Sequence, residues 1–253
     1  MRDIYFEYRK KIINKFPFLR YLKKYKIIIP KIKAIIIWRI IKPKKIKYMG
    51  KEFYTSIDEF SDPSKNLYAY GDHYETDERN LIVKHVNEGD SCIDIGANIG
   101  FYTWWFLKSS KLKGNVYSFE CLNSVFNILK QNFEKNDNVK LFKGYVGINR
   151  DKNQDYLIPD NLIKEKISFI KIDIDGPDFF ALKSCEKIID SSSPKIIIEL
   201  CENSFENWGI HYNEILNFLN KKKYSCFDVK NMQEEFNRTL KKNEIVNIFA
   251  IKQ

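Results

Sequence analysis

Apolar positions along residues 79–253 come in two alternating patterns. Short apolar runs such as Cys92-Ile93, Val116-Tyr117 and Ile196-Ile197-Ile198 mark buried strands, and between them apolar residues recur at helical spacing. The pattern predicts a helix through Leu81, Ile82, Val83 and Val86, then a strand over residues 92–95 and a helix over Ile99–Leu107. It continues with strand 115–119, helix Asn123–Phe133, strand Val139–Phe142, a polar loop over 148–160 and strand Ile167–Ile174. Helix Phe179–Ile189, strand Lys195–Leu200, helix Tyr212–Leu219 and strands Tyr224–Asp228 and Ile245–Ile251 complete the series. Strand alternating with helix implies an α/β fold with a doubly wound, mostly parallel sheet. Ligands of such sheets sit at the carboxyl ends of the strands, near the point where strand order reverses.

Charge divides the chain differently. Residues 1–50 hold 16 Lys/Arg against 2 Asp/Glu, and the other residues carry a small negative balance, so the net +10 resides in the N-terminal segment. This gives two parts, a basic and apolar helical extension over 1–50 and a domain over 51–253. In the extension, clusters such as Ile27-Ile28-Ile29 and Ala34–Trp38 are interrupted by Lys31, Lys33 and Arg39, which disfavours a membrane-spanning helix. Three readings of it stay open: contact with an anionic membrane surface, packing on the core or on a second copy as a homodimer, and nucleic-acid binding. The last ranks lowest, because no recognised reading motif accompanies the charge. Met1 to Lys11 is charged throughout, so no cleavable signal peptide is expected. Five scattered cysteines without a C-x-x-C pair suit reduced thiols and a cytoplasmic setting, either free or peripheral at the inner membrane face. The three histidines have no metal-ligand spacing.

Candidate chemistry centres on Asp94-Ile95-Gly96-Ala97-Asn98-Ile99-Gly100, a glycine turn between a strand and a helix. Gly96 allows the tight turn, Gly100 is expected to let the helix approach the strand, and the helix N-terminus is expected to offer unpaired N–H groups. Ala97 and Asn98 stand where a dinucleotide fingerprint needs its second glycine. The next strand ends in Glu120, an acid placed to accept hydrogen bonds from ribose hydroxyls. A glycine turn without a pyrophosphate cradle, followed by an acidic strand end, suits S-adenosylmethionine better than NAD.

Further acids end later strands: Asp173 and Asp175 in Lys171-Ile172-Asp173-Ile174-Asp175-Gly176, and Glu199 after Ile196-Ile197-Ile198. A carboxylate in a buried strand is costly unless paired or used. Asp173 suits a general base or a partner for the cofactor's ammonium, with Glu199 or Asp175 beside it. Asp173 and Glu199 also suit Mg²⁺, if a metal is used. The plain alternative is that Lys171 or a backbone turn neutralises them. The aromatic and polar stretch Tyr68–Glu78 suits a lid or substrate wall, with Tyr70, His73 and Tyr74 as contacts and Thr76 or Asp77 as a helix cap.

Taken together, these residues resemble the FkbM family of S-adenosylmethionine-dependent methyltransferases over roughly residues 68–205. The resemblance rests on Tyr74-Glu75, Gly89-Asp90, Asp94 through Thr103, Phe119-Glu120, Leu129 and Asn132, Lys171 through Gly176, and Ile198-Glu199. It implies a class I methyltransferase, Rossmann-like fold and methyl transfer to an oxygen of a sugar, glycan precursor or polyketide-type acceptor, as in surface polysaccharide assembly. Cofactor contacts are then expected from Glu75, Asp94, Gly96, Ala97, Asn98, Gly100, Thr103, Glu120, Cys121, Tyr145 and Asp173, and a further acceptor contact from His211. The chain departs from the family in Cys121 after Phe119-Glu120, in Asp175 where Glu is usual, and in Pro177-Asp178. A nucleic-acid methyltransferase would show Asn/Asp-Pro-Pro-aromatic where Asp175-Gly176-Pro177-Asp178 stands, and a scaffold without activity would have no need of Glu120.

Overall fold

The computed structural model describes residues 43–55, 62–148, 155–201, 205, 208–241 and 244–253. The readings of the basic extension fall on residues 1–42, outside the described residues. The chain enters through a hairpin, β1 (Lys45–Tyr48) and β2 (Lys51–Tyr54), paired antiparallel so that residues on either side of position 50 face each other. Two helices follow, α1 (Asp62–Tyr70) and, after a short 3₁₀ turn, α2 (Thr76–His85). Neither Thr76 nor Asp77 caps α2; the cap position is Glu75, in a left-handed conformation with φ 45°.

The main sheet is built from β3 (Cys92–Ile95), β4 (Val116–Glu120), β5 (Val139–Lys143), β8 (Phe169–Ile172), β9 (Lys195–Cys201), β10 (Tyr224–Asp228), β11 (Asn231–Glu235) and β12 (Ile245–Lys252). Its order is β11-β10-β12-β9-β8-β3-β4-β5. The five strands from β9 to β5 are parallel, and β12, β10 and β11 add an antiparallel flank. A minor parallel pair joins β6 (Tyr145–Val146) to β7 (Tyr156–Leu157), the latter within the stretch expected to be loop, and the single turn α5 (Pro159–Leu162) follows. The chain winds outward from β3 to β5, then returns to β8 and winds the other way, so the reversal lies between β3 and β8.

Strand alternation sorts the core onto two faces. Ile93, Ile95, Ile170 and Ile172 pack with α6 (Asp178–Lys183), α7 (Glu186–Ser192) and α8 (Tyr212–Lys221). Cys92, Val116 and Phe169 pack with α2, with α3 (Phe101–Ser109), with α4 (Asn123–Phe133) and with the hairpin residues Tyr48 and Phe53.

Three predicted elements differ from those observed. Helix α3 begins at Phe101 and not at Ile99, because Asn98 (φ 50°) and Gly100 (φ 92°) are left-handed and cannot continue a right-handed helix. Strand β8 stops at Ile172, since Asp175 (φ 56°) and Gly176 (φ 141°) turn the chain away from the sheet. The single helix expected over 179–189 is two. Its second half, α7, starts afresh where the Asp160 carboxylate accepts from the N–H groups of Lys187 (2.8 Å) and Ile188 (3.0 Å).

Candidate active site

The carboxyl ends of β3, β4 and β8 open into a cavity of roughly 530 Å³ at the reversal point. Gly96, Asn98, Glu120, Cys121, Tyr145, Asp173 and Asp175 line it, as do Leu122, Val146, Tyr156, Pro177, Phe180 and Trp208. Each main contributor is positioned by a nearby hydrogen bond or a steric limit.

The glycine turn is drawn against its neighbours. A Cβ on Gly96 would lie 1.9 Å from the Asp173 carbonyl oxygen, so only glycine permits this approach of the β3 and β8 ends. Gly100 serves a different contact from the one expected: its missing Cβ makes room for Phe133 of α4, 2.1 Å from where that atom would sit, and not for the strand.

The turn also does not present free N–H groups. Gly96 and Ala97 donate to the Phe119 carbonyl at 3.0 and 2.9 Å, Ile99 to Asn98 Oδ1 at 2.9 Å and Gly100 to the Ala97 carbonyl at 2.8 Å. The Asn98 N–H donates to Glu120 Oε2 at 3.0 Å. A pyrophosphate would have to compete with all five of these bonds, which counts against a dinucleotide.

Glu120 is the fixed acid of the cavity. Its Oε1 accepts from the Leu122 N–H at 2.8 Å, so backbone donors on both oxygens fix the carboxylate at the cavity wall. Burial raises its pKa, with the Leu122 and Asn98 bonds opposing. Cys121 beside it is pushed up to about 11 by burial and by Glu120, so it stays a thiol at neutral pH.

Asp94 and Thr103 lie behind the turn rather than in the cavity lining. Thr103 donates to Asp94 Oδ2 at 2.6 Å and is 2.8 Å from Ser118 Oγ, which ties α3 to β3 and β4. Burial lifts Asp94 to about 6. Its register neighbour on β8 is Lys171, fully buried on the α3 face with its ammonium over the Tyr102 ring at 5.1 Å.

Lys171 joins the second group of acids. Its Nζ donates to Asp173 Oδ2 at 3.0 Å. Burial alone would lower the lysine pKa, but Asp173, Glu75 and Glu199 together raise it, so it remains charged. The neutralisation of Asp173 by Lys171, which the sequence offered as the plain alternative, is thus present. Asp173 nevertheless lines the cavity, with its side chain one-third exposed. Carboxylate oxygens of Asp173, Asp175 and Glu199 lie within 4.8 Å of one another. Burial first, and the neighbouring Asp173 next, push the Glu199 pKa well up and so favour the proton on its carboxyl. Lys171 and that proton balance the buried acids, and a divalent ion would have to displace the proton to use Glu199 as a ligand.

The loop carrying Asp175 is held by Asp178, whose Oδ1 and Oδ2 accept from the N–H groups of Ile174 (3.0 Å) and Gly176 (2.8 Å). Here the departure from the family pattern has a structural task. Beyond the cavity, Tyr102 donates to Glu75, and Tyr74 packs on Phe101 at 4.9 Å. Glu75 is raised by burial and lies near enough to Lys171 and Asp173 to interact with both. Tyr70 and His73 do not line the cavity, and His73 is exposed. His211 caps α8: its Nδ1 accepts from the Asn213 N–H at 3.2 Å while Glu214 accepts from its own N–H at 3.0 Å. Sequence reasoning missed Trp208, Tyr156 of β7 and Phe180 of α6, none of which belongs to a motif; their aromatic character was the available signal.

The profile of the methyltransferase FkbM domain matches residues 151–226. That stretch of the chain is similar to the methyltransferase FkbM domain. The matched segment contains β8, β9 and the Lys171–Gly176 motif, while the glycine turn and Glu120 precede it. No curated protein sequence matches the chain. Among solved structures, M. jannaschii TYW2 in complex with AdoMet is similar at TM-score 0.50 and 17% identity, covering 81% of this chain and 83% of that one. Aeropyrum pernix fibrillarin with natively bound S-adenosyl-L-methionine is similar at TM-score 0.50 and 13% identity, covering 84% of each. The FkbM methyltransferase of Methylobacillus flagellatus KT aligns at TM-score 0.45 and 17% identity, over 87% of this chain and 59% of that one. The likeness to the first two is one of fold, the class I methyltransferase architecture expected from the strand order.

Proposed function

We propose that the protein is an S-adenosylmethionine-dependent O-methyltransferase acting on a hydroxyl of a sugar or glycan precursor. The observation that carries this reading is Glu120, anchored between the glycine turn and the end of β4, in one cavity with Asp173 and Asp175. A carboxylate fixed at the cavity wall suits a ribose diol, and the occupied turn N–H groups suit a cofactor without phosphates. When bound, S-adenosylmethionine supplies an electrophilic methyl carbon, and its transfer to an acceptor oxygen leaves S-adenosylhomocysteine.

The chain's own residues do the rest by positioning and proton removal. Asp173, hydrogen-bonded to Lys171, takes the acceptor's hydroxyl proton, and Asp175 hydrogen-bonds a neighbouring hydroxyl. Tyr145, Tyr156 and Trp208 give the cavity aromatic walls, on which the apolar face of a sugar ring packs well. The basic extension places the enzyme at an anionic membrane surface on its cytoplasmic side.

Calorimetric titration with S-adenosylhomocysteine and with NAD tests the cofactor. Micromolar binding of the former, lost in Glu120→Ala, is expected, and NAD should give no heat. Binding of NAD in its place would overturn the reading. Transfer of labelled methyl to a panel of glycan precursors, nucleic acids and small amines then tests the acceptor, with label on the glycans expected and label on nucleic acid alone opposing the proposal.

A further inference from the structure

The hairpin and the glycine turn are remote in sequence, yet one side chain touches both. Asn132, near the end of α4, is 6% exposed. Its Nδ2 donates to the Ile99 carbonyl at 2.9 Å and to the Tyr54 carbonyl at 3.1 Å. Its Oδ1 accepts from the Tyr54 N–H at 2.6 Å. Around it, Lys51 Nζ donates to the Asn132 carbonyl at 2.7 Å, and Phe53 packs edge-on against Phe133, the ring for which Gly100 leaves room.

Ile99 stands between two left-handed residues, Asn98 and Gly100. Asn adopts that conformation more readily than other non-glycine residues, and here hydrogen bonds to Glu120 and within the turn hold it. The Asn98 N–H is also the donor that orients Glu120. A continuous path therefore runs from Tyr54 through Asn132 and Ile99 to Asn98 and Glu120.

We propose that Asn132 is a positioning residue that locks the glycine turn to the N-terminal hairpin, making the hairpin part of the cofactor site. The inference rests on the cofactor reading above. It means that the segment joining the basic extension to the domain bears on cofactor affinity, although no hairpin residue lines the cavity.

Asn132→Asp keeps an acceptor for Tyr54 and turns the donors into oxygens that face two carbonyls. The expected result is a cooperatively folded protein that binds S-adenosylhomocysteine about tenfold more weakly. Ile248→Ala, a core change in β12 away from the turn, should lower the melting temperature and leave that affinity unchanged. Affinity of folded Asn132→Asp equal to wild type, or an equal loss in Ile248→Ala, would overturn the inference. Hydrogen exchange on the unmodified full chain gives a second readout that needs no variant. Saturating S-adenosylhomocysteine should slow exchange at the Tyr54 amide as well as at residues 96–100, and slowing confined to the turn would contradict the proposal. Failure of the wild type to bind would remove the cofactor reading and this inference with it, whereas wild-type binding with an indifferent variant removes the inference alone.

Discussion

Lys171 shows how one residue sets the electrostatics of the site. It is fully buried, hydrogen-bonded to Asp173 and close to Glu75 and Glu199. Removing one partner of a buried ion pair leaves the other uncompensated, at a cost of about 3–5 kcal/mol. Lys171→Met should therefore destabilise the protein strongly near pH 8 and much less near pH 5.5, where the orphaned acids take up protons. Melting temperatures of the two proteins across that range would reveal it; a constant difference would mean that the lysine acts by packing alone. Asp178 gives the opposite slope. Burial and the nearby Asp173 lift it to about 6 from an ordinary 3.8, so its protonated form is favoured in the fold. That stability is complete below pH 4 and is lost as pH rises through 6, by up to about 3 kcal/mol. Asp178→Asn should abolish this part of the pH dependence, while its amide, with one acceptor for two N–H donors, loosens the Asp175 turn. Chemical denaturation at pH 4.5 and 7 separates the two effects.

Among the elements, α3 and α4 meet at Gly100, where any side chain collides with Phe133. Gly100→Ala combines that overlap with a left-handed φ and should lower stability by about 2–4 kcal/mol, read in a denaturant titration. A loss below 0.5 kcal/mol would show that α4 moves aside freely. The sequence pattern made this glycine visible but attached it to the wrong neighbour, because the period of a helix does not say which other helix crosses it. The same limit applies elsewhere. Runs such as Ile196-Ile197-Ile198 announce buried strands, and Glu120 and Asp173 follow as strand ends. The break between α6 and α7 depends on Asp160, an acid from a distant turn whose partners are fixed only by folding. His211 illustrates the converse, a polar aromatic residue of candidate chemistry whose task is to begin a helix.

At the scale of the whole molecule, the reversal of strand order between β3 and β8 brings Glu120, Asp173 and Asp175 into one cavity, while the charge is concentrated at the other end of the sequence. Residues 1–50 hold 16 basic against 2 acidic side chains. Where the described residues begin, β1 buries Ile46 and Tyr48 and exposes Lys45 and Lys47, so the basic character continues on the outer side of the hairpin. Among the described residues no helix is long and apolar enough to cross a membrane. Each lysine near an anionic bilayer contributes about 1 kcal/mol, and that attraction fades within a Debye length as salt is added. Interleaved Ile and Trp would add burial at the interface. The full chain should therefore co-sediment with vesicles containing phosphatidylglycerol and stay in solution with neutral phosphatidylcholine, and raising the salt should release it in part. Equal partitioning between the two lipids would remove the membrane reading. Sedimentation of the protein alone as a dimer, with no preference for either lipid, would instead assign the basic segment to packing between copies.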